Sequence, residues 1–265
     1  MTKQEIKQII KRPSLLLYFT ETFRAIGDRV SSIQFRKTFT PKTKGDGCPV
    51  LVIPGFLTSD TSTKILRDFI AKMGYTPYAW ELGRNYGDIE DITTLVATLD
   101  TLHEKHQEKI SLIGWSLGGV YARELAKRRP ELIRQVITLG SPFAGLQEPN
   151  NASWIFDLMK GKKAKELDPV WLATVPNPAP VPTTALYSKK DGIVSWMVCM
   201  EKEDALHQNI EVRGSHLGFG FNKQVMVIIA DRLSYSEANW KLYGGNSKTQ
   251  NSNSKQQVLS DKMLS

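Results

Sequence analysis

Cysteine is scarce in this chain: Cys48 and Cys199 are the only two in 265 residues, with no CxxC spacing and no cysteine–histidine cluster. A structural disulfide or zinc site thereby has little support, and a reducing, cytoplasmic setting is the expectation. Long apolar runs are lacking too. None approaches the roughly 18–20 residues that a bilayer-spanning helix needs, and the short block at 15–19 is followed by no small-residue cleavage site of the secretory type. No internal repeat occurs, and no recognised nucleic-acid motif accompanies the positive charge, so nucleic acid is not an expected partner. Nothing in the spacing suggests a metal site or a bound cofactor.

What is present is a chain that is 41% hydrophobic and 9% aromatic, enough for one large α/β domain rather than two independent ones. The net charge of +8 is unevenly spread: residues 1–44 hold ten lysines and arginines against three acids, a net of +7. A basic arm on a nearly neutral body points to an anionic surface or to solubility alone. Within the arm, Ser14 follows Pro13 as a candidate helix cap. Beyond it Leu16, Phe19, Phe23, Ile26, Val30 and Ile33 recur at spacings of three and four, which predicts one apolar stripe on a helix of about five turns. The expectation is that this stripe packs on the protein's own body. A membrane-surface or dimer-forming helix is the alternative, so residues 1–44 are the candidate for peripheral membrane contact.

From Pro49 the pattern alternates between strand and helix. The runs 49–53, 76–82, 109–114, 134–140, 182–188 and 209–214 read as strands; 63–73, 88–107, 117–129 and 223–234 read as helices. Alternation of this kind requires parallel strands joined by crossovers, hence a doubly wound, mostly parallel sheet covered on both faces. The expected organisation is a basic helical arm at 1–47, an α/β body at 48–243, and a polar, low-complexity, disordered tail at 244–265. Residues 142–181 form a long insertion with six prolines and an amphipathic helix candidate at 154–159.

The chemistry is expected where Gly114-Trp115-Ser116-Leu117-Gly118 joins a strand to a helix. The G-x-S-x-G pattern is weak evidence alone, but in this setting it has a mechanism: the turn is so tight that small residues are favoured at 114 and 118, and the serine is lifted above the sheet at a helix N-terminus. A plain helix cap is the bland alternative for Ser116. A serine hydroxyl needs a base, and the base needs orienting. Of four histidines, His103 and His106 sit on the preceding helix at solvated-face positions, and His207 precedes a strand at the wrong end of the sheet. His216 follows the strand 209–214 and emerges at the edge where ligands bind in open α/β sheets. The acid should leave a strand end between serine and histidine. Asp191, followed by Gly192, does so; Asp157, Asp168 and Asp204 are the weaker candidates. An acyl transfer also needs preset oxyanion donors, for which the backbone N–H of Leu117 and, after the turn at Gly55, that of Phe56 are the candidates.

Taken in order, the strand ending in "PGF", then "GWSLGG", "LGSPFAG", "SKKDGIV" and "GSH", resemble the α/β-hydrolase superfamily over about residues 48–235, and within it the bacterial lipase-like and esterase-like members. The resemblance implies a serine that is acylated by substrate and deacylated by water, with the insertion at 142–181 in the place of the lid. It departs from the commonest pattern in carrying Pro54 where many members have histidine before the glycine, and it has no HGGG-type loop. The expected activity is hydrolysis of carboxylic esters, small or lipid-like. Acyltransferase, thioesterase or amidase chemistry would use the same triad, and a membrane-attached binding protein with an idle triad is the reading from another class.

Overall fold

The computed structural model describes residues 12–88, 90–145 and 169–244. Six strands form one sheet: β1 (Pro49–Ile53), β2 (Thr76–Tyr78), β3 (Ile110–Trp115), β4 (Ile133–Leu139), β5 (Thr183–Tyr187) and β6 (His207–Glu211). Every neighbouring pair is parallel, in the order β2-β1-β3-β4-β5-β6. Every residue of β1, β3, β4 and β5 is buried, as strands covered on both faces must be. The pleat divides them. Leu51, Ile53, Leu112 and Val136 join the core under α3 (Glu90–His106) and α4 (Leu117–Arg128). Val50, Val52, Ile113 and Ile137 join the core under α2 (Asp60–Lys72) and α6 (Lys223–Leu233). Each such side chain contributes roughly 1.5–3 kcal/mol by leaving water, so both faces stabilise the same short runs.

The chain leaves β1 toward β2 on one side and returns to β3 on the other. Strand order therefore reverses between β1 and β3, and in open α/β sheets the crevice at that switch point is where ligands bind. The register pairs Ile53 with Gly114, which sets the loop after β1 directly beside the turn after β3.

Two strands differ from expectation by more than one residue at an end. β2 ends at Tyr78 instead of residue 82, because both carboxylate oxygens of Asp60 accept from the backbone N–H groups of Trp80 and Glu81 and draw the chain off the sheet edge. β6 begins two residues early, at His207, since its register against Thr183 starts there. Asn222 caps α6, its side chain accepting from Gln224 N and Val225 N. The tail beyond residue 244 and the stretch 146–168, including the helix candidate at 154–159, lie outside the described residues. α5 (Pro169–Thr174) precedes the return to β5.

The flanks of the insertion are tied together from α4. The Arg123 guanidinium stacks on Phe143, 3.8 Å from its ring centre, and donates to the carbonyls of Pro176 and Asn177. It also forms an ion pair with Glu201 in which both side chains are buried.

The N-terminal helix α1 (Leu15–Thr38) forms where periodicity predicts it, but with the opposite face inward. Leu16, Phe19 and Phe23 are more than 70% exposed, and Ile26, Val30 and Ile33 are exposed as well. The buried residues of the helix are Glu21, Ala25 and Ser32. The expectation that the stripe packs on the body is thus overturned: hydrogen-bonding groups waiting on the body select the polar face. Ser14 holds the N-cap position, although its side chain makes no capping bond.

Candidate active site

Ser116 connects β3 to α4 with φ 53° and ψ −121°, a conformation that costs a non-glycine residue about 1–3 kcal/mol and persists only where its surroundings enforce it. They do so here. Ser116 N–H donates to Leu139 O at 2.8 Å, and Gly119 N–H donates to Ser116 O at 3.0 Å. A Cβ on Gly114 would lie 2.3 Å from Gly118 O, and one on Gly118 would lie 2.4 Å from Ile53 O. Both contacts are with backbone, so both positions exclude any side chain. The helix-cap alternative for Ser116 fails in one respect, since its side chain makes no cap hydrogen bond.

Asp191 leaves the end of β5, and His216 opens a 3₁₀ turn (His216–Phe221) beyond β6. His216 Nδ1 lies 2.6 Å from Asp191 Oδ2, and both residues are buried. The other carboxylate oxygen, Oδ1, accepts from the N–H groups of Ile193 and Val194 at 2.8 and 2.7 Å, so the acid is fixed at three points. The pair stands over the end of β4: a Cβ on Gly140 would meet His216 Nδ1 at 3.2 Å and Asp191 Oδ2 at 3.3 Å. Trp115, just before the serine, donates its indole N–H to His216 O at 3.1 Å. The turn carrying Ser116 and the loops carrying Asp191 and His216 therefore share one rim of the sheet. Burial acts to lower the His216 pKa, but the Asp191 charge and hydrogen bond outweigh it, with help from Glu21, and the net shift is upward.

The competing candidates are engaged elsewhere. Asp204 meets His207 Nδ1 at 2.7 Å, at the start of β6 and so at the opposite end of the sheet; the other ring nitrogen of His207 meets Ala179 O. His103 meets Glu108 O, and His106 meets the Tyr78 hydroxyl. Asp157 and Asp168 lie outside the described residues.

After β1 the chain turns at Pro54-Gly55, and Leu57 adopts φ 58°. Leu57 N–H donates to Asn85 O, and Thr58 N–H to Gly55 O, while Phe56 N–H has no acceptor among the described residues. Leu117 N–H opens α4, and a first helical N–H has no intrahelical acceptor. Sequence reading missed the brace of this loop. Asn85 is fully buried and donates from its side chain to Pro54 O at 2.9 Å; an isolated asparagine in "GRNYG" carries no signal of that role. It missed Glu21 as well. This α1 carboxylate accepts from Gly192 N at 2.7 Å and from Leu217 N at 3.1 Å, the residues directly after Asp191 and His216. Among the described residues, no cluster of three or more His, Cys, Asp or Glu is placed to hold a metal ion.

Comparison with known proteins agrees with this architecture. No family model matches the chain. Over 124 residues it is 31% identical to a probable alcohol acetyltransferase of Cyberlindnera fabianii, a match that takes in 44% of this chain and only 33% of that protein. Among solved structures, Aspergillus fumigatus lipase B overlays 85% of this chain and 64% of its own, with a TM-score of 0.53 at 14% identity. Bacillus licheniformis lipase BlEst2 overlays 74% of this chain and 96% of its own, with a TM-score of 0.53 at 15% identity. A pyrethroid hydrolase from Sphingobium faniae JZ-2 overlays 71% and 97%, with a TM-score of 0.51 at 17% identity. These likenesses establish the fold: the chain is a protein of the α/β-hydrolase fold.

Proposed function

We propose that the chain is a serine hydrolase of carboxylic esters, with Ser116 as nucleophile, His216 as base and Asp191 as the group that orients the base and stabilises its protonated form. The observation that carries this reading is the buried His216–Asp191 pair on the same rim as a serine held in a strained strand-to-helix turn. Asp191 keeps the His216 proton on Nδ1, which leaves Nε2 to accept the Ser116 proton as Oγ attacks the ester carbonyl carbon. The tetrahedral oxyanion takes hydrogen bonds from the N–H groups of Phe56 and Leu117. As the carbon–oxygen bond breaks, His216 returns its proton to the leaving alcohol and the acyl group stays on Ser116. Water repeats the sequence and releases the acid. Acyl transfer to an alcohol instead of water is the second reading, favoured by the match to an acetyltransferase.

A fluorophosphonate probe tests the common step. The full chain is expected to be labelled on Ser116, and Ser116→Ala to lose labelling entirely; an unlabelled wild-type chain would make the triad idle. Partition of a p-nitrophenyl ester's acyl group between water and added ethanol then separates hydrolase from transferase.

The raised His216 pKa fixes the sign of a pH effect. The base acts only when neutral, so kcat/KM should rise with pH through a midpoint above the ordinary imidazole value. Glu21→Gln removes a negative charge that holds this value up, and its acid limb should move to lower pH. An unmoved limb in a pH–rate profile, with kcat otherwise retained, would deny Glu21 that influence.

A further inference from the structure

α1 has its amphipathicity turned inside out. On a helix of 3.6 residues per turn, Phe19, Phe23, Ile26 and Val30 share one side, and Glu21, Ala25, Asp28 and Ser32 share the other. The polar side is the one that meets the body, and specific bonds hold it there. Besides the bonds of Glu21 to Gly192 and Leu217, Asp28 Oδ1 accepts from the Asn222 side chain at 3.1 Å, and Arg24 donates to Lys190 O at 2.6 Å. Leu16, Phe19, Phe23, Ile26, Val30 and Ile33 are left facing water. A row of six exposed large apolar side chains on one helix face is a surface that binds something.

Charge indicates what. Both acids of α1, Glu21 and Asp28, belong to the inward side, so the outward side carries only cations: Arg29 beside the stripe, Arg12 before it and Lys37 after it, all exposed. Where α1 ends, Ile33, Arg36, Lys37, Asp68, Phe69 and Lys72 line an open pocket. Asp68 is paired with Lys64, which leaves three cations around an apolar floor. A second copy of the chain fits poorly. Pairing the stripe with itself, parallel or antiparallel, sets the Arg12 and Lys37 ends against cations, and like charges juxtaposed across an interface are costly.

We infer that the outward face of α1 docks on an anionic phospholipid surface, its apolar row entering the headgroup–acyl boundary and its cations meeting phosphate. The attachment is peripheral, because no described helix is long and apolar enough to cross a bilayer. α1 is also joined rigidly to the rim of the site: a Cβ on Gly192 would come within 2.5 Å of the Leu17 backbone. The loops of Asp191 and His216 would therefore stand behind α1 as seen from the bilayer, about one helix diameter away. The inference does not rest on the hydrolase reading.

Vesicle flotation of the full chain tests it, using phosphatidylcholine vesicles with and without phosphatidylglycerol. The wild type should float with the anionic vesicles and be released by high salt, which screens the cations. The double variant Phe19→Ser/Phe23→Ser should bind them more than about tenfold more weakly. Both rings are over 70% exposed, so this variant should keep the wild-type Tm and its rate on a water-soluble ester. A wild type that stays with neither vesicle, or a double variant that floats as well as wild type, overturns the proposal. So does a wild-type dimer in light scattering that the double variant dissolves, since the face would then belong to a second copy. A wild type that floats with the anionic vesicles but hydrolyses no ester would sink the hydrolase reading and leave this one standing.

Discussion

Asp191→Asn should lower kcat on esters by roughly four orders of magnitude while the protein stays folded. The reason is a reversal of donor and acceptor in a site that otherwise barely changes. Asparagine can keep its carbonyl oxygen where Oδ1 now accepts from Ile193 and Val194. Its amide then points at His216 Nδ1 and donates, so that nitrogen must accept and the ring proton moves to Nε2. The atom meant to take the Ser116 proton already has one. The positive ring that develops during attack also loses its counter-charge. Asp204→Asn is the matched control, because its histidine partner stands at the other end of the sheet. Steady-state hydrolysis of a p-nitrophenyl ester measures the loss, and Ser116→Ala/Asp191→Asn should be no slower than Ser116→Ala alone, since the members of the proposed triad would act as one unit. An Asp191→Asn enzyme within tenfold of wild type would refute the assignment of the acid.

The second large effect concerns stability. Arg123→Met removes one half of a buried ion pair and is expected to cost about 3–5 kcal/mol, most of it from leaving Glu201 buried without its guanidinium partner. The carbonyls of Pro176 and Asn177 lose a donor in the same step. For a chain of this size that corresponds to a fall in Tm on the order of 10 °C. Arg123→Met/Glu201→Leu, which removes both charges, should recover most of the loss, because an apolar pair avoids the desolvation that the ionic pair had to offset. Thermal unfolding of the three variants and wild type completes the cycle. A single variant less than about 1 kcal/mol below wild type would mean that the pair contributes little, and that the flanks of the insertion are held by other contacts.

How much of this could be read in advance depended on the range of the interaction. The elbow at Ser116 is local: a buried strand, two glycines four residues apart and a helix start specify the turn, and backbone oxygens of Gly118 and Ile53 show why neither glycine can carry a side chain. The placing of His216 and Asp191 needed only the direction in which each strand runs, because parallel strands deliver their following loops to one edge. β6 was legible as a strand but not in its bounds, since its start is set by its register against Thr183 rather than by its own residues. Asn85 and Glu21 were not legible at all. Their partners are 31 and 171 residues away in the chain, and a lone polar residue says nothing about which distant N–H or carbonyl it will meet.

α1 marks the boundary most sharply. Its sequence by itself determined that a helix would form, that one side would be apolar and the other polar, and that the strand-to-helix turn at Ser116 would fold as it does, because spacing and steric fit along the chain decide those things. Only the tertiary structure decided which side of α1 faces inward. On the body the N–H groups of Gly192 and Leu217 donate to Glu21 and the Asn222 amide donates to Asp28, and these bonds took the polar face, leaving Phe19 and Phe23 in water. Periodicity reports that a helix has two faces; the hydrogen-bonding needs of the surface it lands on determine which one is hidden.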